Sequence, residues 1–269
     1  MSQNIYDTPE FFTNYSNLLR SRQGLDGAPE WPRMQTFLPS LPGSRIIDLG
    51  CGFGWYTRWF HERGAASVHA LDISQNMLDR AREMTPPESY SAVIYLRADL
   101  DDADIPLLSD AVDSSVDMVF SSLALHYLVH LERLVAQVYR VLKPGGVFVF
   151  SVEHPIVTAP AVPGMIHAHI PNPMRAGEGE VRRKIWPLYD YQAEGLRVTD
   201  WLADGVHKQH RTVTTYINLL LGAGFVLTGF DEWCPMEGEL DVRPEWVDLR
   251  EKEMLKPTFL LVQATKMVV

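Results

Sequence analysis

The chain has 269 residues, 46% of them hydrophobic, and its 24 Lys and Arg face 34 Asp and Glu for a formal charge of -10. That acidic balance argues against a general nucleic-acid surface, which needs a basic footprint, and no apolar run approaches the roughly 18 residues of a membrane span. Cys51 and Cys234 make neither a disulfide framework nor a metal set, and without a basic and apolar leader the chain reads as cytoplasmic.

Residues 1–43 form an amphipathic leader in which Phe11, Phe12, Tyr15, Leu18 and Leu19 share one helical face, as a cap over a sheet edge would. The run R-I-I-D-L-G-C-G-F-G-W-Y-T-R, Arg45 to Arg58, follows. Ile46, Ile47 and Leu49 suit a buried parallel strand, Gly50, Gly52 and Gly54 a tight turn, and Trp55, Trp59 and Phe60 a helix. Glycines at the carboxyl end of such a strand let backbone N–H groups approach a ligand. The spacing is G-x-G-x-G with Asp48 ahead of it; Trp55 stands where the dinucleotide fingerprint needs its third glycine. A second strand, Val68 to Asp72, ends in an acid roughly twenty residues on, where a carboxylate accepts ribose hydroxyls. The pattern predicts a nucleoside ligand.

Ser74 is a predicted N-cap for a helix running to Met84, which Pro86 and Pro87 stop. A third strand, Ala92 to Leu96, puts Asp99 on the same rim as Asp72 and the glycines, and a fourth, Asp117 to Ser121, leads into S-S-L-A-L-H-Y-L. After a helix at Leu131 to Leu142, K-P-G-G makes a sharp turn into the fifth strand, Val147 to Val152. From His154 to about Val206 the periodicity breaks down around Trp186, Tyr189 and Tyr191, which predicts an irregular lid whose aromatics line an acceptor pocket. A helix at Thr212 to Leu221, a strand at Phe225 to Phe230, a charged helix from Glu237 to about Glu253 and a strand at Thr258 to Thr265 close the chain. Alternating strands and helices imply a doubly wound, largely parallel α/β sheet covered on both faces.

Through D-L-G-C-G-F-G, the acid of L-D-I-S, the A-D-L after the third strand and K-P-G-G, residues Ser44 to Phe150 resemble the class I S-adenosylmethionine-dependent methyltransferases. The nearest flavour is that of small-molecule enzymes such as those of quinone biosynthesis. The resemblance implies a Rossmann-like sheet of seven strands with the last antiparallel, a helical cap over 1–43, a methyltransferase domain over 44–269 and an inserted lid over 154–206. It implies S-adenosylmethionine held by Asp48, Gly50, Cys51 and Gly52, with Asp72 on the ribose beside Ile73 and Met77. It puts Asp99 at the adenine amino group with Ala98 and Leu100 against the ring, Ser121 toward the methyl group, and Tyr15 and Arg20 closing from the leader.

Transfer from a sulfonium needs an acceptor lone pair about 3 Å from the methyl carbon, so alignment supplies most of the rate. For an acceptor that carries a proton, His126 and His154 are the candidate bases, both expected to open onto one cavity. The expected partner is a small-molecule acceptor methylated on O or N, with neither nucleic acid nor membrane involved. His167, His169, His207 and His210 lack zinc spacing, and no metal is expected. Two other readings stay open: a cofactor-binding protein that has lost or repurposed transfer, and an NAD-dependent dehydrogenase, which the glycine spacing disfavours.

Overall fold

The computed structural model describes residues 3–105, 108, 113–171 and 180–268. Five strands build the sheet's parallel part: β1 (Arg45–Leu49), β2 (Ser67–Asp72), β3 (Val93–Arg97), β4 (Val116–Ser122) and β5 (Leu142–Glu153). Two hairpins follow, β6 (Ile166–Pro171) with β7 (Glu180–Ile185) and β8 (Gly195–Trp201) with β9 (Ala203–His210). The strands β10 (Phe225–Glu232) and β11 (Phe259–Lys266) complete a seven-stranded sheet ordered β10-β11-β5-β4-β1-β2-β3. The last strand runs antiparallel to both its neighbours. From β1 the chain winds outward through β2 and β3, then returns to the other side for β4 and β5. The crevice beyond the tips of β1 and β4 is therefore the topological switch point, where an open α/β sheet binds its ligand.

Alternation along each strand splits the core in two. Ile47, Leu49, Phe148 and Phe150 face one way, onto Leu134 and Val138 of a helix at Leu131–Val141 and Tyr216 and Leu220 of another at Val213–Gly222. Ile46, Val68, Val147 and Val149 face the other way, onto Phe60 of the helix Trp55–Glu62 and Trp31 and Met34 of the leader. With both faces covered, β1 and β5 need hydrophobic residues at nearly every position, which is why they read as continuous apolar runs.

The leader is not one amphipathic helix. It folds as helices at Pro9–Ser16, Leu19–Gln23 and Trp31–Gln35, with Phe11 buried and Leu19 63% exposed, off the predicted face. The turn between the second and third is tight enough that a Cβ on Gly27 would sit 2.4 Å from the Leu19 carbonyl oxygen. K-P-G-G is not a turn ahead of β5 but part of it: pairing jumps from Val116 opposite Leu142 to Met118 opposite Val147, a bulge centred on Gly145 with φ +81°. The predicted lid, of which residues 172–179 lie outside those described, is built from the two hairpins. Period-two patterning exists in β9, whose inward residues are Val206, Lys208 and His210; hydropathy misses it because two of the three are polar. The charged stretch after Glu237 is likewise two helices, Glu237–Leu240 and Val247–Leu255, separated at Pro244. Among the described residues no helix is long and apolar enough to cross a membrane, and no group of three His, Cys, Asp or Glu side chains is placed to hold a metal ion.

Candidate active site

A cavity of about 290 Å³ opens at the switch point and is walled by the glycine turn, the tips of β2 to β5, the leader and the second hairpin. Gly50, Gly52 and Gly54 all have positive φ, at +73°, +52° and +70°. Gly50 is required for close approach as well, since its Cβ would lie 2.3 Å from the Ala124 Cβ. A Cβ on Gly52 would instead stand 3.6 Å from the Tyr15 hydroxyl, in the space between turn and leader. The turn is tied to β2: the Gly50 and Cys51 N–H groups both donate to the Leu71 carbonyl, and Gly52 N–H donates to Asp72 Oδ2 at 2.8 Å.

Asp72 Oδ1 accepts from Ser74 N–H at 2.9 Å. Burial nevertheless pushes the Asp72 carboxyl up to about 6, against these two N–H bonds that favour its charged form. The leader is anchored at the same place. Asp7 accepts from the Ser74 hydroxyl at 2.6 Å and from the Asn76 N–H at 3.0 Å, so its carboxylate caps the helix Gln75–Glu83. Thus the element that carries Tyr6 and Tyr15 over the cavity is fastened beside Asp72. Arg20 reaches the wall from the next helix, where its Nη2 donates to both oxygens of the buried Glu30, at 2.9 and 3.1 Å, and its guanidinium lies over Phe259.

At the tips of β4 and β5 the wall consists of His126, Tyr127 and Glu153, with Trp201 entering from the second hairpin. His126 Nδ1 accepts from the Glu153 backbone N–H at 3.4 Å, and burial pushes the ring down to about 4. Burial alone would raise Glu153, but the His126 and Lys208 side chains outweigh it and hold the carboxyl below its usual range. Lys208 Nζ donates to both Glu153 oxygens, at 2.7 and 2.9 Å, and lies 4.9 Å from the Trp201 ring centroid. The Tyr6 hydroxyl donates to that of Tyr127 at 3.1 Å.

The cavity therefore joins a backbone-lined, acid-flanked half suited to a nucleoside and an aromatic half with buried polar groups. Trp55 Nε1, buried on the wall without a partner, and the open space over Gly52 fit an additional group with polar atoms. Comparison with known proteins agrees. Residues 47–150 match the methyltransferase domain family. A solved S-adenosylmethionine-dependent methyltransferase from Mesorhizobium loti is 45% identical and superimposes with a TM-score of 0.75 over 90% of this chain and 100% of that one. The chain belongs to the S-adenosylmethionine-dependent methyltransferases. S-adenosylmethionine is its cofactor. An uncharacterized protein of Haemophilus influenzae is 30% identical over 97% of this methyltransferase and 96% of its own length. The malonyl-[acyl-carrier protein] O-methyltransferase of Serratia marcescens is 38% identical over 42% of this chain and 39% of its own.

In this methyltransferase Tyr15, Arg20, Gly50, Cys51, Gly52, Asp72, Ile73, Met77, Asp99 and Leu100 all line the one cavity. Three residues predicted beside them stand outside the wall. Asp48 is buried behind the turn, where it accepts from the Thr57 hydroxyl at 2.6 Å and burial pushes its carboxyl up to about 7. Ala98 spends its N–H on the Asp72 carbonyl, and its side chain packs in the core. Ser121 is fully buried with its hydroxyl donating to the Leu49 carbonyl at 2.8 Å, and the next residue, Ser122, reaches the cavity instead.

The two histidines do not share a cavity. His126 lines it; His154 does not, because its Nδ1 accepts from Ile156 N–H as a helix cap and its Nε2 lies 2.8 Å from Glu232 Oε1. The predicted acceptor aromatics also stand elsewhere. Trp186 donates to the Ile156 carbonyl beneath Lys256, Tyr189 bonds Val162 at the surface, and the Tyr191 hydroxyl accepts from Val213 N–H. Wall residues that pattern reading missed are Tyr6, Trp55, Tyr127, Glu153 and Trp201. Glu153 had a signal, being the last residue of a strand whose carboxyl end faces the site; Trp201 had none, because its hairpin is invisible to hydropathy.

Proposed function

We propose that this methyltransferase moves the cofactor's methyl group to an O or N atom of a small molecule seated against His126, Tyr127, Glu153 and Trp201. The observation that carries the reading is the continuity of one cavity from the glycine turn and Asp72 to those four side chains. On this reading Asp72 accepts the ribose hydroxyls, Asp99 and Leu100 hold a ring, and the space over Gly52 takes the remainder. Arg20, kept in position by Glu30, is the cation suited to an amino-acid carboxylate. Bound S-adenosylmethionine supplies a methyl group already activated by its sulfonium. The residues then have to exclude water and hold the acceptor in line, which the leader and second hairpin support by closing the cavity with Tyr6, Tyr15 and Trp201. The malonyl-[acyl-carrier protein] O-methyltransferases are similar over less than half of this chain, and the acid that their name gives as acceptor is one class for a screen.

Calorimetry with S-adenosylmethionine, followed by assay of S-adenosylhomocysteine release against acids, phenols and amines, tests the proposal. Cofactor binding together with release that depends on an acceptor is expected. Binding without release for every class would favour a silent or repurposed protein.

A further inference from the structure

The acceptor half of the cavity differs from its cofactor half in what it offers for hydrogen bonding. His126 sits on the wall 2% exposed. Because its Nδ1 takes the Glu153 backbone hydrogen, the proton of the neutral ring is on Nε2, which has no hydrogen-bond acceptor among the described residues. The Tyr127 hydroxyl takes its hydrogen bond from Tyr6, which leaves its own hydrogen to donate. Burial raises the Tyr127 phenol, so it stays protonated, and the depressed histidine stays neutral.

Glu153, the carboxylate at this end, is bonded through both oxygens to Lys208, which is itself 5% exposed. The charge at this end is thus cancelled within the wall, and what His126 and Tyr127 leave for an acceptor is a pair of neutral donors. An ammonium would meet no unmatched anion. A phenol would meet a ring nitrogen that already carries its proton, with His154 turned away to Glu232. An oxygen that arrives without a proton meets neither obstacle.

Resting on the methyl-transfer reading above, we propose that the acceptor is a carboxylate, one of its oxygens held by His126 Nε2–H and Tyr127 O–H while the other is methylated. The attacking oxygen forms the new C–O bond with its lone pair as the methyl–sulfur bond breaks, and that bond's electron pair goes to sulfur. No proton leaves the acceptor, so no base is needed. The product is a methyl ester. His126 is then a donor to the substrate, which separates it from the base that its place in the sequence suggests.

The test uses the full chain loaded with S-adenosylhomocysteine and titrated with phenylacetate and phenethylamine, probes that share a skeleton and differ in charge. Phenylacetate is expected to bind about tenfold more tightly, the order of effect of one hydrogen bond to a charged group. His126→Leu should erase that preference with S-adenosylmethionine affinity held within about twofold, while His126→Gln, which restores an N–H donor, should recover most of it. Equal or reversed affinity of the two probes, or a preference that survives His126→Leu, overturns the proposal. In turnover assays the product should be cleaved by hydroxide, as an ester is. A hydroxide-stable product made from a phenol or an amine overturns the carboxylate assignment yet leaves methyl transfer standing, whereas failure to bind S-adenosylmethionine at all would sink the broader reading.

Discussion

The two halves of the cavity are built by different kinds of sequence. The cofactor half comes from contiguous segments, since Gly50 to Phe53, Asp72 with Ile73, and Asp99 with Leu100 each enter the wall at or just past the end of a strand. The acceptor half is assembled from residues far apart in the chain, with Tyr6, His126, Glu153 and Trp201 meeting only through tertiary packing. Local segments leave a pattern in sequence, whereas assembled walls leave almost none. The first half should also fail at single backbone positions, while the second should degrade by degrees.

The largest effect expected on this contrast is at Gly50. Gly50→Ala adds a methyl group 2.3 Å from the Ala124 Cβ at a φ of +73°, so clash and strain act together. Gly43 has nearly the same φ, +77°, with nothing within 4 Å of its would-be Cβ. Strain alone costs roughly 1–3 kcal/mol. Gly43→Ala should therefore lower the melting temperature modestly and leave cofactor affinity alone, whereas Gly50→Ala should lower it further and abolish measurable S-adenosylmethionine binding. Thermal melts and calorimetry on the pair separate close approach from φ; equal behaviour would remove the close-approach argument.

Asp72 comes next. Asp72→Asn should weaken S-adenosylmethionine by roughly 1–3 kcal/mol if, as proposed, its carboxylate accepts the ribose hydroxyls while it anchors Gly52 N–H. The sign of the pH dependence follows from the raised carboxyl. As pH falls through about 6, free Asp72 takes up a proton and loses acceptor strength, so wild-type affinity should drop on the acid side and level off above it. Asp48 titrates at about 7 behind the turn, without a place on the wall. Affinity measured from pH 5 to 8 should show the lower step vanish in Asp72→Asn. A step that persists there belongs to another group.

How far each half can be read from sequence has the same cause. Strand, glycine turn and helix are encoded within about fifteen residues, so β1, its turn and the acid of β2 sit where periodicity and glycine spacing put them. The sheet's antiparallel last strand is legible only through family resemblance, since strand direction leaves no mark in composition. Ser121 stands off the wall that its strand suggests because one position along a strand turns a side chain to the opposite face. His154 is not separable from His126 by sequence, because a histidine after a strand looks the same whether it opens onto a cavity or caps a helix and bonds Glu232. In the hairpins, aromatic side chains suggested a lined pocket, but which of them points inward depends on a register fixed by Lys208 and His210 burial.

The smallest effect, and the sharpest check on that register, lies between two aromatics of the same insertion. Trp201 lies on the cavity wall, edge-to-face with Phe11 at 5.6 Å between ring centroids and beneath Lys208. Tyr189 is 41% exposed, and among the described residues its hydroxyl is bonded only to the backbone of Val162. Trp201→Ala removes a ring that both closes the cavity and steadies the cation paired with Glu153, so KM for the acceptor should rise about tenfold or more with little change in S-adenosylmethionine affinity. Tyr189→Ala removes surface packing and a solvent-accessible hydrogen bond, worth within about 0.5 kcal/mol of stability and nothing in kinetics. Steady-state kinetics on the two variants decides between them. If Tyr189→Ala raises KM and Trp201→Ala does not, the segment between the hairpins rather than the second hairpin meets the acceptor, and the wall is drawn from the wrong one.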